Sequence, residues 1–135
     1  MPSGAPDWVT TVAVTVIVEN VAVLPVAAAE AAAGDVSRYS GDDDDWQEVA
    51  KWTVTPLKTG ELKEVSMITD DYVNTVWKLT IGTTEVFTDL TIQSSLTIPF
   101  FDLKLAAGTV VTLSCHSDGV NAIVADGSII GKEIG

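Results

Sequence analysis

The chain has one cysteine and one histidine, and they are adjacent, Cys115 and His116. Cys–His catalysis needs the two side chains to face one another, whereas neighbours on a strand point to opposite faces. The pair therefore reads as a buried thiol beside an outward histidine. Ser114, His116 and Asp118 share one strand face, but they sit too close in sequence to converge on a substrate as a Ser–His–Asp triad does. A second candidate is the run Asp42, Asp43, Asp44 and Asp45, whose carboxylates are hard donors of the kind calcium takes. An EF-hand loop spaces its ligands and closes on a glutamate, and this run does neither, so it reads more simply as a solvated acidic loop. Asp70, Asp71 and Asp118 read as turn formers, bonding nearby backbone amides. A third candidate is aromatic: Tyr39, Trp46 and Trp52 lie close together beside the acidic run and could stack a sugar. Trp52, however, occupies an apolar strand position, and Trp8 adjoins an apolar strand, as core or interface anchors do.

No phosphate loop, nucleophile elbow or paired metal-ligand motif occurs. One Cys with one His makes neither an internal disulfide nor a zinc cage. The expectation is a protein without cofactor and without enzymatic activity.

The elements that must carry these residues are strands. Val, Ile and Thr number 44 of 135 residues, and β-branched side chains suit pleated surfaces. Val12, Val14, Val16 and Val18 alternate with Ala13, Thr15, Ile17 and Glu19, giving a first strand that is apolar on both faces. Such a strand belongs in a core or against another subunit, and with Val21 and Val23 it is the predicted interface. No Lys or Arg precedes the apolar segment from Trp8 to Val26, and Glu19 with Asn20 interrupts it, so neither a signal peptide nor a membrane span is expected. Pro25 ends the extended run. Residues 27–33 are Ala-rich and precede Gly34, a pattern that suits one or two glycine-capped helical turns. Residues 35–45 read as a surface loop.

From Trp46 onward the predicted strands are 49–55, 62–68, 72–81, 85–87, 95–98, 109–116, 122–125 and 128–133. The turns fall at Pro56 with Lys58 to Gly60, at Thr69 to Asp71, Gly82 to Thr84, Pro99, Ala107-Gly108, Ser117 to Gly119, and Asp126-Gly127. Asp126-Gly127 is the strongest hairpin signal. Val73, Thr75, Trp77, Leu79 and Ile81 would line one face of the longest strand, with Trp77 in the core. The fold class is all-β, a single β-sandwich, jelly-roll-like or barrel, with one short helical segment. Residues 1–45 would form its N-terminal strand, Ala-rich segment and acidic loop, and residues 46–135 its core.

Nineteen carboxylates against seven Lys plus Arg give a net charge of −12, too few cations for a nucleic-acid backbone. The first 45 residues hold eight of the acids and one of the bases, net −7.

The segments Trp77 to Gly82, Val86 to Asp89, Leu96 to Phe100, Asp102 to Leu113 and Gly131 to Ile134 together resemble the small β-sandwich or jelly-roll proteins of tailed-phage particles, the head decoration or cement proteins. The resemblance spans about half the chain. It implies a non-enzymatic virion protein, assembled in the host cytoplasm, that binds the major capsid protein on the outer shell, commonly as a trimer, and stabilises it. A carbohydrate- or receptor-binding module of a fibre, tail or extracellular protein is the alternative.

Overall fold

A computed structural model describes residues 28–135, so the predicted interface strand with Val12, Val14, Val16, Val18, Val21 and Val23 lies outside the described residues. Eight strands follow: β1 (Glu30–Gly41), β2 (Gln47–Thr53), β3 (Thr59–Thr69), β4 (Val76–Ile81), β5 (Thr84–Leu90), β6 (Leu96–Leu105), β7 (Val110–His116) and β8 (Ile123–Ile134). They form two antiparallel four-stranded sheets, ordered β1-β8-β3-β6 and β2-β7-β4-β5. The first strand pairs with the last, the second with the seventh, the third with the sixth and the fourth with the fifth. The chain is thus one long hairpin rolled up on itself, and the added β3·β8 and β4·β7 pairs hold the roll closed. That strand order is a jelly-roll β-sandwich.

The core lies between the sheets and is built by alternation. Leu62, Val65 and Met67 of β3 and Ile123, Ala125 and Ile129 of β8 face Trp77 and Leu79 of β4 and Val111, Leu113 and Cys115 of β7. Trp77 is fully buried, as its position in the pattern requires. A register shift between Glu48 and Ala50 lets the consecutive residues Val49 and Ala50 both enter the core.

Several sequence readings are corrected here. Among the described residues there is no helix, and residues 30–33 of the Ala-rich stretch, together with the supposed loop residues 35–41, form β1. The ladder to β8 gives β1 backbone partners along its whole length on one side, and this pairing overrides alanine's helical preference. The loop proper is residues 42–46, and the sandwich begins at Glu30 rather than at residue 46. Asp126-Gly127 is not a turn, because both residues lie within β8 between β1 and β3. Pro99 does not end a strand: it sits in β6, at the sheet edge where its missing N–H costs least. The strand predicted over 72–81 begins only at Val76, leaving Val73 in a loop and 87% exposed.

The glycines of the first sheet have a packing role. A Cβ on Gly131 would meet the Glu61 carbonyl oxygen at 2.5 Å and the Trp52 ring at 2.9 Å, and one on Gly60 would meet Val54 at 2.7 Å and the same ring at 3.2 Å. Trp52 of the second sheet therefore fits a slot over two glycines of the first. Its Nε1 donates to Glu133 Oε2 at 2.9 Å, so the buried indole has a partner for its one polar group. Overpacking a full core costs about 1–3 kcal/mol, and a clash with a carbonyl oxygen falls at the upper end of that range. Gly131→Ala should accordingly lower stability by about 2–3 kcal/mol, read as an earlier midpoint in chemical denaturation, while Ser128→Ala on the outer face of the same strand should leave the midpoint nearly unchanged.

Candidate functional site

Alternate connections of the roll emerge at one end of the sandwich. The β1–β2 and β7–β8 loops meet there, where Ser117 N donates to Asp43 O at 2.7 Å. The β3–β4 loop joins the start of β8 through Asp70 N to Val124 O at 3.1 Å and Val124 N to Asp70 Oδ1 at 2.9 Å. The β5–β6 loop reaches the same end, because Leu96 pairs with Met67 near the finish of β3. Folding thus collects Asp42 to Asp45, Asp70, Asp71 and Asp118 into a single acidic tip. The sequence showed the first four, but it could not show that two further loops bring three more beside them.

Four of these seven aspartates have carboxylates engaged by hydrogen bonds, Asp71 and Asp118 within their own loops and Asp43 and Asp70 to Tyr39 and Val124. Asp118 accepts from Val120 N at 2.9 Å and Asn121 N at 2.8 Å, and from Asn121 Nδ2 at 2.7 Å. Those donors hold its pKa down at about 2. Asp71 binds Asn74 through its backbone N–H and side-chain amide, and Tyr39 OH donates to Asp43 Oδ2 at 3.3 Å. Among the described residues no three His, Cys, Asp or Glu side chains converge as a metal cage.

Cys115 and His116 point to opposite faces of β7. The thiol is fully buried, and burial pushes its pKa up to about 12, where no reactive thiolate forms near neutrality. His116 Nδ1–H donates to the Ser117 carbonyl at 2.7 Å, and its ring meets Trp46 edge-on with centroids 4.4 Å apart. Asp118 is engaged by its own loop rather than by His116, so Ser114, His116 and Asp118 are not assembled for acyl transfer. Lys78 Nζ stands 4.7 Å from the centroid of the Trp46 ring, a cation–π contact on the outer face of the second sheet.

The three candidate sugar-stacking residues are dispersed. Trp52 is in the core slot, while Tyr39 and Trp46 are each half-buried, Tyr39 against the core and Trp46 beside Lys78 and His116. They form no common platform.

The outer face of the β1-β8-β3-β6 sheet is of a different character. It carries Arg38, Lys63, Lys104 and Lys132, four of the chain's seven cations, each with a carboxylate partner. Arg38 holds Asp126 through Nε to Oδ1 at 2.6 Å and Nη2 to Oδ2 at 3.0 Å, and the guanidinium keeps that carboxyl below the usual carboxylate range. Lys132 meets Glu30 at 2.7 Å, Lys63 meets Asp102 at 2.5 Å, and Lys104 pairs with Glu61, whose side chain is buried. The face also carries Glu64, so its charges come close to cancelling, in a chain of net −12. Between the pairs runs a shallow trough of about 290 Å³ lined by Val36, Ser66, Ile68, Leu96, Thr97 and Ser128. Val36 is 72% exposed and Ile68 49%. Sequence inspection missed this surface, since its residues come from four strands and none forms a motif.

Set against models of known protein families, curated proteins and solved structures, the chain matches none of them.

Two measurements check these assignments. Cys115 should resist alkylation by iodoacetamide at neutral pH in the folded protein and react fully once denatured, with mass spectrometry as the readout. Asp118 has a folded-state pKa below its unfolded value, so its stabilisation is present above the ordinary range near 3.8 and is lost as pH falls through about 2. Asp118→Ala should then melt earlier than the native chain at neutral pH, and the gap between the two should narrow across that acid window.

Proposed function

We propose that the protein is a non-enzymatic virion structural protein of the decoration or cement kind, binding the major capsid protein on the outer shell as a homo-oligomer, a trimer in the arrangement its sequence resemblance implies. The observation that carries this reading is the segregation of charge by the fold: an acidic tip at one end, and a charge-balanced, partly apolar sheet face along the side. Such a molecule has one surface suited to protein contact and another that keeps a densely decorated particle hydrated and dispersed. The jelly roll is also a recurrent fold of viral capsid domains, which supports the reading by analogy of fold. Sugar binding is the weaker reading, because Trp52, one of the three aromatic residues that suggested it, is buried in the core.

The test is co-sedimentation with particles of the virus that encodes the chain, followed by thermal release of the packaged genome with and without the protein. Pelleting with the particles and a higher release temperature are expected. A protein that stays in the supernatant and leaves the release temperature unchanged would overturn the proposal, as would specific retention on a glycan array.

A further inference from the structure

We infer that the trough on the outer face of the β1-β8-β3-β6 sheet is the docking site for the apolar segment 12–18 of a neighbouring copy of the same chain. This deepens the self-associating part of the reading above by naming the surface that receives the segment.

The trough is lined by the small hydroxyl residues Ser66, Thr97 and Ser128, by the exposed apolar residues Val36 and Ile68, and by Asp126, whose carboxylate Arg38 holds. The backbone beneath it already pairs within the sheet, so an occupant must pack through its side chains. Segment 12–18 suits that demand. It alternates Val with Ala, Thr and Ile and contains no charged residue, so the segment itself brings no ionised group into the trough. The place is suitable as well. Two chains of net −12 repel one another, and this face is where the cations are gathered and neutralised in pairs. The free edge of β6 is a poorer receptor: Pro99 removes a donor, and the left-handed residues Phe101 (φ 49°) and Asp102 (φ 61°) break its line.

The direction in which the chain enters the sheet argues for another copy as the source of the occupant. Gly135 N donates to Ala29 O at 2.9 Å, so residue 29 prolongs the β1–β8 ladder and the chain enters β1 along the strand axis at the sheet end. Val36 lies six residues further on, about 20 Å from Glu30 and away from the side on which the chain arrives. The twelve residue steps from Val18 to Glu30 span up to about 40 Å when extended. A folded unit of this size is roughly 35 Å across, so that length reaches the face of an adjacent copy.

The experiment uses two full-length single-cysteine additions mixed under oxidising conditions. One protein carries Ser128→Cys. The other carries a size tag and a cysteine at each of positions 12 to 18 in turn, for example Val14→Cys. The buried native Cys115 stays out of the reaction. A disulfide-linked heterodimer that favours alternate positions is the expected product, and Ile68→Asp, an exposed change, should abolish it and dissociate the oligomer without altering the melting temperature. Absence of any heterodimer, a link formed only within one chain when both cysteines are placed on it, or an oligomer indifferent to Ile68→Asp would each overturn the inference. Particle binding without the heterodimer removes this inference alone, whereas a heterodimer in a protein that never joins particles removes the capsid reading and leaves this one standing.

Discussion

The two sheets are locked together where Trp52 lies against Gly60 and Gly131. Packed sheets stand roughly 10 Å apart, and at Trp52 the opposite sheet gives up volume to the ring. The first sheet does so at two glycines on adjacent strands, and the indole occupies the space their missing side chains leave. Glu133, two residues beyond Gly131 on β8, accepts both from Trp52 Nε1 and from Thr55 N. Those donors hold its carboxyl below the usual range. One residue thus satisfies the indole, fixes the start of the β2–β3 connection and sets how far β8 slides against β2. The rest of the core follows from that alignment: Gly127 on the same strand accommodates Val49 and Leu113 by the same device.

Rolling one hairpin into two sheets leaves corners and edges to be managed. At the corner between β1 and β2, Asp35 reaches across and accepts from Lys51 N at 2.9 Å, giving an edge strand a partner that no neighbouring strand supplies. At the opposite edge of the first sheet β6 is bent by its left-handed pair and by the register shift between Leu62 and Glu64 in β3. The surfaces left open are then not edges but faces and loop ends. Charge is sorted between them, with unpaired aspartates at the tip and matched ion pairs on the sheet.

Much of the strand pattern was legible because inward positions carry recognisable apolar residues. β3, β4 and β7 alternate plainly, and Trp77 and Cys115 take the buried places that alternation predicts. β1 was not legible, since its half-buried positions are Ala33, Asp35, Ser37, Tyr39 and Gly41, four of them small or polar, and an alanine-rich start reads locally as helix. β8 was misread for a related reason: Asp126 and Gly127 are ordinarily turn residues. Here one is held by Arg38 across the ladder and the other is small because Leu113 fills its place. The acidic tip was half visible, as a run of four aspartates, and the sheet trough was invisible.

The sequence by itself determined the class of fold, the exclusion of an internal disulfide and of a Cys/His zinc cage, and the strong acidity, because these depend on composition and on a period of two that neighbouring residues carry. Tertiary structure alone decided which strands pair, which glycines serve as sockets and which charges cancel. Those properties join residues distant in the chain: Arg38 to Asp126, Trp52 to Gly131, Asp43 to Ser117. Local preference is silent about such partners, and the packing of two sheets on one core selects them.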